Sequence, residues 1–399
     1  MMAAARSKTR RTTASAKPSP AVKKKAAAKN SAPRFESLQQ IALAAYRKLQ
    51  PEVWDHLVGG ADSETTLSRN RAGLDALALR QRVLVDVRNI DLRTSLLGQP
   101  MAFPVFPAPV GGFLSKVHAE GGPAVARAAV SRGTQAFIAT AAKPSLEAAQ
   151  AAVKQPLIFQ LYVRGDRSWV EGVLDRVKAA GYGGLCVTVD RNYYGRRERD
   201  LVSALPVREE FGDQSFQAGL NWKDLVWMKE RVGLPLIAKG IATAEDAVLA
   251  VEHGADVVYV SNHGGRQLDH AQGSIEVLPE VVKAVGNRAE IVVDGGILRG
   301  TDVVKALCLG ARAVGVGKLL GWALTADGEA GVARMLELME VEVRTALGLM
   351  GVTSIKQLGP EWVREVPVLG MPSAVSAYPM LADAVRREAS PLWGRRHSR

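Results

Sequence analysis

Eight short apolar runs, separated for the most part by stretches of helical period, constrain the fold of this chain more than any other feature of its sequence. Short apolar runs bounded by turn residues are typical of buried strands. The runs occupy residues 104–110, 135–140, 157–162, 184–189, 235–239, 256–262, 290–294 and 313–317. This alternation predicts an α/β fold, the (β/α)8 TIM barrel, whose catalytic groups lie at the C-terminal ends of the strands.

Apolar residues recur at helical spacing in several of the intervening stretches. These stretches are 120–132, 168–180, 244–253, 278–285 and 301–309. Two more helices, at 38–48 and 51–58, precede the barrel, and we expect them to plug its bottom or to cover its side. A helix over 328–349 closes the barrel. The polar, poorly periodic segment 196–222 is predicted to be a long loop, of a kind that often acts as a lid.

The positive charge of the chain is concentrated at its N-terminus. The 399 residues carry a formal net charge of +12, and residues 1–34 contain ten lysines or arginines and no acid. This tail has no hydrophobic period and is predicted to be disordered. A basic tail can contact nucleic acid or anionic lipid, but we favour a solvated extension and predict no nucleic-acid partner. The barrel domain then spans 35–372, followed by an irregular C-terminal tail over 373–399.

The two cysteines give no sign of a disulfide or a metal site. Cys186 and Cys308 lie in apolar strand and helix contexts, without the spacing of a metal or redox motif. We therefore predict no metal and a reducing, cytoplasmic location. The chain contains no run of about 20 apolar residues, so no membrane span is predicted.

The sixth run leads directly into a string of reactive and flexible residues, Ser-Asn-His-Gly-Gly-Arg-Gln-Leu-Asp at 261–269. His263 can take up a proton near neutral pH, and Arg266 can hold a carboxylate with two parallel hydrogen bonds. Gly264 and Gly265 allow the backbone to approach a flat ligand closely. A single histidine after a strand is more often structural than catalytic. The complete run of nine residues at 261–269 is a far more specific indication of a functional site.

This string resembles the active-site signature of the FMN-dependent α-hydroxy-acid oxidase and dehydrogenase family, which includes glycolate oxidase, lactate oxidase, mandelate dehydrogenase and the flavin domain of flavocytochrome b2. The similarity extends from about residue 35 to about residue 366, with landmarks such as Phe-Gln-Leu-Tyr-Val at 159–163 and Asp-Gly-Gly at 294–296. The resemblance implies FMN as cofactor, oxidation of an L-2-hydroxy acid to its 2-oxo acid, and a homotetramer. A flavin is also chemically appropriate, because oxidation of a 2-hydroxy acid releases two electrons and no amino-acid side chain accepts two electrons reversibly in such a reaction.

Four residues at strand ends are implied to carry the catalysis. His263 is the candidate base, and Asp190 orients its ring and stabilises the imidazolium. Lys239 stabilises the reduced flavin, and Tyr162 assists at the substrate. Asp190 could instead cap the next segment and Tyr162 could be a core aromatic, whereas a lysine that ends an apolar strand is costly to bury without a task.

The resemblance also implies which residues bind the substrate and the cofactor. Arg266 is the carboxylate clamp, with Arg197, Tyr162 and His56 as further substrate contacts. Turn amides and a cation in the loops after strands seven and eight can face the FMN phosphate. The residues expected to contact FMN are Ala108, Pro109, Val110, Gly111, Thr140, Gln160, Thr188, Lys239, Ser261, Asp294, Gly295, Gly296, Arg299, Gly317 and Lys318.

The sequence departs from the family pattern at several positions around this site. His56 stands where the family usually has a tyrosine, and Leu298 and Lys318 stand at the two positions of its phosphate-binding arginines. A lysine is a point charge rather than a planar fork. Arg191-Asn192 replaces the usual Thr-Pro, and Ala-Thr-Ala at 139–141 replaces the Ser-Ser-Trp of glycolate oxidase. These departures predict an unusual, larger substrate or a loosely held FMN.

Two other functions stay open at this point. One is a different FMN barrel activity, such as that of a type-2 isopentenyl diphosphate isomerase. The pairing of His263 with Arg266 favours the oxidase family, because a diphosphate substrate would require more cations at the rim. The other is a non-catalytic binding protein that uses the basic tail. The electron acceptor also stays open between oxygen, a quinone and a separate carrier.

Overall fold

Twelve strands occur in the structure, a computed structural model that describes residues 34–203 and 215–388. They are β1 (Leu77–Leu79), β2 (Thr94–Leu96), β3 (Gln99–Met101), β4 (Val105–Pro107), β5 (Phe137–Ala139), β6 (Ile158–Leu161), β7 (Gly184–Thr188), β8 (Leu236–Ile241), β9 (Val257–Val260), β10 (Glu290–Val293), β11 (Ala313–Val316) and β12 (Val363–Glu365). Eight of them form one parallel sheet in the order β4-β11-β10-β9-β8-β7-β6-β5. Each predicted run coincides with one of these strands, so the predicted barrel is confirmed.

The helices of the described chain connect and flank the strands. They are α1 (Leu38–Lys48), α2 (Pro51–Val58), α3 (Thr65–Asp75), α4 (Gly112–Val117), α5 (Gly121–Ser131), α6 (Leu146–Ala151), α7 (Arg167–Ala180), α8 (Glu198–Val202), α9 (Ser215–Ala218), α10 (Trp222–Val232), α11 (Ala244–Glu252), α12 (Ser274–Val285), α13 (Gly300–Cys308), α14 (Lys318–Met350) and α15 (Pro379–Glu388). The predicted helices at 38–48 and 51–58 coincide with α1 and α2. None of the described helices is long and apolar enough to cross a membrane.

Local sequence determines where many of these helices begin and end. The Asp166 carboxylate accepts the Trp169 amide at 2.9 Å at the start of α7, and Gly181 ends that helix in the left-handed conformation. Such a side-chain acceptor satisfies an amide that has no partner within the helix, and glycine adopts positive φ without strain. The closing helix α14 starts before the predicted 328–349 and is kinked at Asp327 and Gly328, where φ reaches +57°.

The barrel has one seam at which no strand ladder forms. β4 and β5 are the two ends of the sheet, and they are not paired with each other. At this seam the Thr134 hydroxyl donates to the Val105 carbonyl at 2.5 Å, and the Ala102 amide donates to the Gly133 carbonyl at 2.7 Å. A side chain thus takes the place of a ladder hydrogen bond and holds the cylinder nearly closed.

A hairpin, not the N-terminal helices, closes the bottom of the barrel. Leu96 and Met101 of the β2–β3 hairpin are buried in one cluster with inward-facing strand side chains such as Phe106 and Val292. The Leu97 amide also donates to the Glu290 carboxylate at the start of β10, at 2.9 Å. Of the two positions predicted for the N-terminal helices, the bottom is thus occupied by the hairpin. Helix α1 packs on α14 and α15, at the side of the barrel, which was the other predicted position.

Two segments predicted to be irregular contain helices. In the tail from residue 373, α15 docks through Leu381, and the buried Tyr378 hydroxyl donates to the Leu298 carbonyl at 2.5 Å. These long-range contacts order a segment whose own sequence gives little signal. The predicted loop 196–222 contains the short helices α8 and α9, and its residues 204–214 lie outside the described part of the chain. The predicted disorder of residues 1–34 likewise falls outside it, apart from Arg34.

A buried ion pair connects α3 to the start of α13. Arg71 donates from both terminal nitrogens to the Asp302 carboxylate, each at 2.8 Å, and both side chains are almost fully buried. Asp302 also accepts the amides of Leu298 and Arg299, each at 3.0 Å. Burial acts to raise the pKa of Asp302, but Arg71 outweighs it and lowers that pKa. This pair therefore fixes the turn that follows β10.

We expect Asp302→Ala to lower the free energy of unfolding by about 3 kcal/mol, the lower end of the range for a broken buried ion pair, because the buried Arg71 then keeps only the partly exposed Asp75, at 2.8 Å, as a carboxylate partner. Urea denaturation followed by circular dichroism measures the change. Asp383→Ala is the matched control, since Asp383 pairs with Arg386 on an exposed face of α15. The control should lose no more than about 1 kcal/mol. Equal losses in the two variants would show that the buried pair has no special role.

Candidate active site

A cavity of about 190 Å³ opens at the C-terminal end of the barrel. Lys239 of β8 lines it, together with His263, Asp294 and Gly317, which follow β9, β10 and β11. Residues 108–112, directly after β4, form part of the same wall. Because the strands are parallel, these ends meet at one rim and bring together side chains from distant parts of the sequence.

His263 lies between a carboxylate and a phenol. Its Nδ1 is 3.1 Å from Asp190 Oδ1, and its Nε2 is 3.0 Å from the Tyr162 hydroxyl oxygen. A carboxylate only accepts, so Nδ1 carries the proton and Nε2 is left as an acceptor for the Tyr162 hydroxyl. Burial lowers the pKa of His263 below 6.5, although Asp190 acts in the opposite direction. The imidazole is thus neutral near pH 7, with its basic nitrogen at the cavity.

The close approach of β8 to Asp190 requires a glycine at position 240. A Cβ on Gly240 would lie 2.5 Å from the Asp190 Cβ, and the φ of Gly240 is +110°. The Gln267 side chain donates to the Asp190 carbonyl at 3.0 Å. The Asp190 side chain is therefore packed against the backbone of β8, and its main chain is held by Gln267.

Lys239 is a buried cation held by two oxygen atoms. Its Nζ donates to the Ser261 hydroxyl at 2.8 Å and lies 3.3 Å from Asp294 Oδ2, while the same hydroxyl donates to Asp294 Oδ1 at 2.6 Å. Burial alone would lower the pKa of Lys239, but Asp294 and Asp190 outweigh it and raise that pKa. The cavity therefore has a permanent positive charge in its wall.

Arg266 is fixed by main-chain oxygens rather than by an acid. Its Nη1 donates to the carbonyls of His56 and Gly59, at 2.5 and 2.9 Å. Burial and the neighbouring charge of Arg197 lower the pKa of Arg266 to about 9. A guanidinium oriented in this way, with a second one beside it, is suited to bind a carboxylate.

The two other predicted substrate contacts, Arg197 and His56, also line this cavity. Arg197 is 8% exposed, although an arginine in a loop is usually solvated, and its Nη1 donates to the Tyr194 hydroxyl at 2.5 Å. His56 Nδ1 is 3.0 Å from Asp200 Oδ1. Burial lowers the pKa of His56, against the effect of Asp200, so the ring is neutral and its free Nε2 accepts rather than donates.

The sequence matches the family described as FMN-dependent dehydrogenase over residues 45–212 and 203–365. The chain belongs to the FMN-dependent dehydrogenase family. L-lactate oxidase of Nostoc sp. is 40% identical over 339 residues, 78% of this chain and 93% of that protein. Glycolate oxidase of Spinacia oleracea is 38% identical over 338 residues, 79% of this chain and 91% of that protein. Among solved structures, mandelate oxidase with (S)-2-phenylpropionate has a TM-score of 0.77 and 37% identity, covering 84% of this chain and all of the other.

As an FMN-dependent dehydrogenase the chain is an oxidoreductase, and its barrel has features that fit a flavin. Gln160 is fully buried and donates from Nε2 to the Thr188 hydroxyl at 2.8 Å, but its Oε1 has no hydrogen-bond partner among the described residues. A buried acceptor without a donor costs about 1–3 kcal/mol, which a bound group with an N–H can offset. A Cβ on Gly317 would meet no atom within 4 Å, so there is open space beside the start of α14.

Leu298 and Lys318, which the sequence analysis places near the FMN phosphate, both line the cavity. The Leu298 side chain is buried and lines the cavity. Lys318 Nζ donates to the Gly264 carbonyl at 3.3 Å, and burial together with a neighbouring arginine lowers its pKa to about 7. Arg71, a lining residue that the sequence prediction missed, donates to the Gly296 carbonyl at 3.1 Å. The available signal was its partner Asp302, in the run Arg-Gly-Thr-Asp-Val at 299–303.

Some predicted cofactor residues do not line the cavity. Thr140, Gln160, Thr188 and Ser261 are outside the lining, although Thr140 accepts the Tyr162 amide and Ser261 accepts from Lys239. The Arg299 side chain is not brought to the cavity, because it pairs with Glu342 at 3.0 Å and lies over the Tyr378 ring. Conversely, the cavity is lined by further residues to which the sequence prediction gave no role. They include Lys116, Arg164, Arg191 and Tyr194.

Proposed function

We propose that this enzyme oxidises an L-2-hydroxy acid to the corresponding 2-oxo acid, with His263 as the base and Arg266 as the carboxylate clamp. The observation that carries the proposal is the meeting of the His263–Asp190 pair with two arginines and a buried lysine at one cavity. The names of the relatives support it, since they include L-lactate oxidase and (S)-2-hydroxy-acid oxidase.

The charged and polar side chains around His263 have separate tasks in this reaction. FMN, when bound, would supply the acceptor for the two electrons that leave the substrate. Arg266 and Arg197 hold the substrate carboxylate, and this orients the hydroxyl-bearing carbon toward His263. His263 Nε2 takes up the proton that the substrate releases, and Asp190 stabilises the resulting imidazolium at Nδ1. The Tyr162 hydroxyl, already within hydrogen-bonding distance of Nε2, turns to the substrate when that nitrogen becomes protonated.

Lys239 provides positive charge where reduction creates negative charge. Its ammonium is held by Ser261 and Asp294, so the charge is in place before the reaction and needs no reorganisation. Fixed charges in a site from which water is excluded stabilise a developing anion more strongly than the same charges in water.

The direct test is the visible spectrum of the purified enzyme during anaerobic additions of L-2-hydroxy acids. Glycolate, lactate, mandelate and longer acids are added in turn. The proposal expects the flavin absorbance to bleach with at least one of them and the matching 2-oxo acid to form in equal amount. A bound flavin that no 2-hydroxy acid reduces, but that a chemical reductant does reduce, would overturn the proposal.

The pH dependence of the reaction follows from the lowered pKa of His263. The neutral imidazole is the active base, so kcat/KM should rise with pH through an acid limb whose midpoint lies below 6.5. Asp190→Asn removes the charge that raises this pKa, so the limb should move to still lower pH. The maximal rate should also fall by about 10²–10⁴-fold, because the imidazolium loses its partner. Steady-state kinetics over a pH series measure both effects. A limb that moves to higher pH in Asp190→Asn would refute the assigned pairing.

The isomerase alternative is not supported by the family match, which favours an oxidoreductase. The sequence argument against it, that the rim has too few cations for a diphosphate, was nevertheless wrong. Lys116, Arg164 and Arg191 line the cavity in addition to the predicted cations. We propose oxygen as the electron acceptor, because the two relatives described above are named oxidases, and hydrogen peroxide formation tests this. The cytoplasmic location and the homotetramer stay predictions.

A further inference from the structure

Arg197 lies in the loop between β7 and α8, yet its side chain is held at the cavity. Arginines are mostly exposed in proteins, whereas Arg197 is 8% exposed and lines the cavity together with Arg266. Its Nε donates to the Arg266 carbonyl at 3.3 Å, and its Nη2 donates to the Gln267 side chain at 3.5 Å. Both distances exceed the usual range of about 2.7–3.2 Å, so neither hydrogen bond is strong.

The main chain of this loop is docked on the segment that follows β9. The Gln267 side chain donates to the Tyr193 carbonyl at 2.7 Å. A Cβ on Gly195 would lie 2.8 Å from the Cα of Gln267, so the two segments approach this closely only because position 195 is a glycine. The residue between these two points of contact is Tyr194, and its main chain is therefore fixed relative to the cavity.

Tyr194 holds the Arg197 guanidinium in two ways. Its hydroxyl accepts a hydrogen bond from Arg197 Nη1 at 2.5 Å, and the guanidinium carbon lies 4.3 Å from the centroid of its ring. A hydrogen bond to a charged group is about twice as strong as one between neutral groups. A cation–π contact also becomes stronger when it is removed from water. The two contacts together fix the position of the guanidinium.

A second guanidinium lies beside the same tyrosine ring. The guanidinium carbon of Arg191 is 5.0 Å from the Tyr194 centroid and 4.6 Å from that of Tyr162, whose hydroxyl is 3.0 Å from His263 Nε2. Burial, with the charge of Arg197 as a smaller contribution, lowers the pKa of Arg191, so the two arginines repel each other. An aromatic ring attracts cations to its face and offsets part of this repulsion. Tyr194 thus allows both arginines to lie in one wall.

We propose that Tyr194 is a positioning residue for the substrate carboxylate, because its hydroxyl and its ring hold the Arg197 guanidinium at the cavity with Arg266. The inference rests on the proposed function, which assigns both arginines to that carboxylate. A side chain with many rotamers loses conformational freedom when it binds a ligand, and Tyr194 removes this cost by fixing the arginine beforehand. Loss of Tyr194 should therefore weaken binding of the acid more than the chemical step, since proton transfer is assigned to His263.

Tyr194→Phe tests the hydrogen bond, because it removes the hydroxyl and keeps the ring. The dissociation constants of two 2-oxo acids, pyruvate and phenylglyoxylate, are measured from the change in flavin absorbance of the holoenzyme. We expect both constants to rise about 10- to 100-fold, as for the loss of a hydrogen bond to a charged group. In steady-state kinetics KM should rise with little change in kcat. Tyr194→Leu also removes the ring, and it should raise the dissociation constants further.

Tyr193→Phe is the matched control, because the neighbouring Tyr193 has a side chain that is 81% exposed. Its dissociation constants for both acids should stay within about twofold of the wild-type values, as for other exposed polar groups. Circular dichroism and the bound-flavin spectrum of each variant verify that the barrel is intact.

A double-mutant cycle with Arg197→Gln shows whether Tyr194 acts through the arginine. If it does, Tyr194→Phe should have little further effect on the dissociation constants in the Arg197→Gln background. Additive losses would mean that Tyr194 binds the acid independently of Arg197, and they would overturn the positioning role. Unchanged dissociation constants in Tyr194→Phe would overturn it as well.

This inference and the proposed function can fail separately. Reduction of the wild-type flavin by a 2-hydroxy acid supports the proposed function whatever the result for Tyr194→Phe. Weaker binding of the 2-oxo acids in Tyr194→Phe, with non-additive losses in the cycle, supports the positioning role even when none of the 2-hydroxy acids reduces the flavin. A wild-type flavin spectrum that responds to neither 2-oxo acid would refute the carboxylate site and the role of Tyr194 with it.

Discussion

Replacement of His263 by asparagine is expected to leave FMN bound and to slow its reduction by substrate about 10²–10⁴-fold, the range for loss of a general base. The imidazole has a neutral, accepting Nε2 at the cavity and a carboxylate at Nδ1, and no other described histidine has this pair of contacts there. Asparagine is the appropriate substitute because His263 has a φ of +58°, and asparagine tolerates that conformation better than most residues.

His270→Asn provides the control for this experiment. His270 has nearly the same backbone conformation, with a φ of +57°, but its side chain is 70% exposed and lies near Ser63 and Asp269. The control should reduce its flavin at the wild-type rate. Stopped-flow absorbance at saturating substrate measures the reductive rate in both variants. Undiminished flavin reduction in His263→Asn would remove His263 from the role of base.

Arg266→Lys should lower kcat/KM about 10²–10³-fold, mainly through weaker substrate binding. The guanidinium uses one nitrogen to bond two main-chain carbonyls, and the proposed function assigns its other nitrogens to the substrate. An ammonium is a single point charge and cannot form a planar pair of hydrogen bonds with a carboxylate while it is held by both carbonyls. The variant therefore tests geometry, since the charge itself is kept.

Arg69→Lys is the matched control, because Arg69 also donates to two carbonyls, those of His270 and Ala271, but at the exposed surface. Its kcat/KM should stay within about twofold of the wild-type value, as for other exposed polar contacts. The dissociation constant of the 2-oxo product, measured from the flavin spectrum, separates binding from the chemical step. Unchanged product binding in Arg266→Lys would mean that another residue holds the carboxylate.

The sequence alone determined the barrel and placed the candidate catalytic residues at its strand ends. Strand and helix periodicity is local, so the runs around Val257–Val260 and Glu290–Val293 were recognisable without knowledge of their neighbours. The resemblance to the family singled out His263, Asp190 and Lys239, and their proximity follows because the C-terminal ends of parallel strands share one rim.

The tertiary structure alone decided which residues close and line that barrel. Leu96 and Met101 lie in strands of three residues, too short to show a period, and their burial depends on side chains far along the chain. The docking of Tyr378 and the place of Arg191 between two tyrosine rings also depend on partners distant in sequence. The spacing of apolar residues shows which face of a helix or strand is buried. Which other residues cover that face is decided only when the strands close into the barrel.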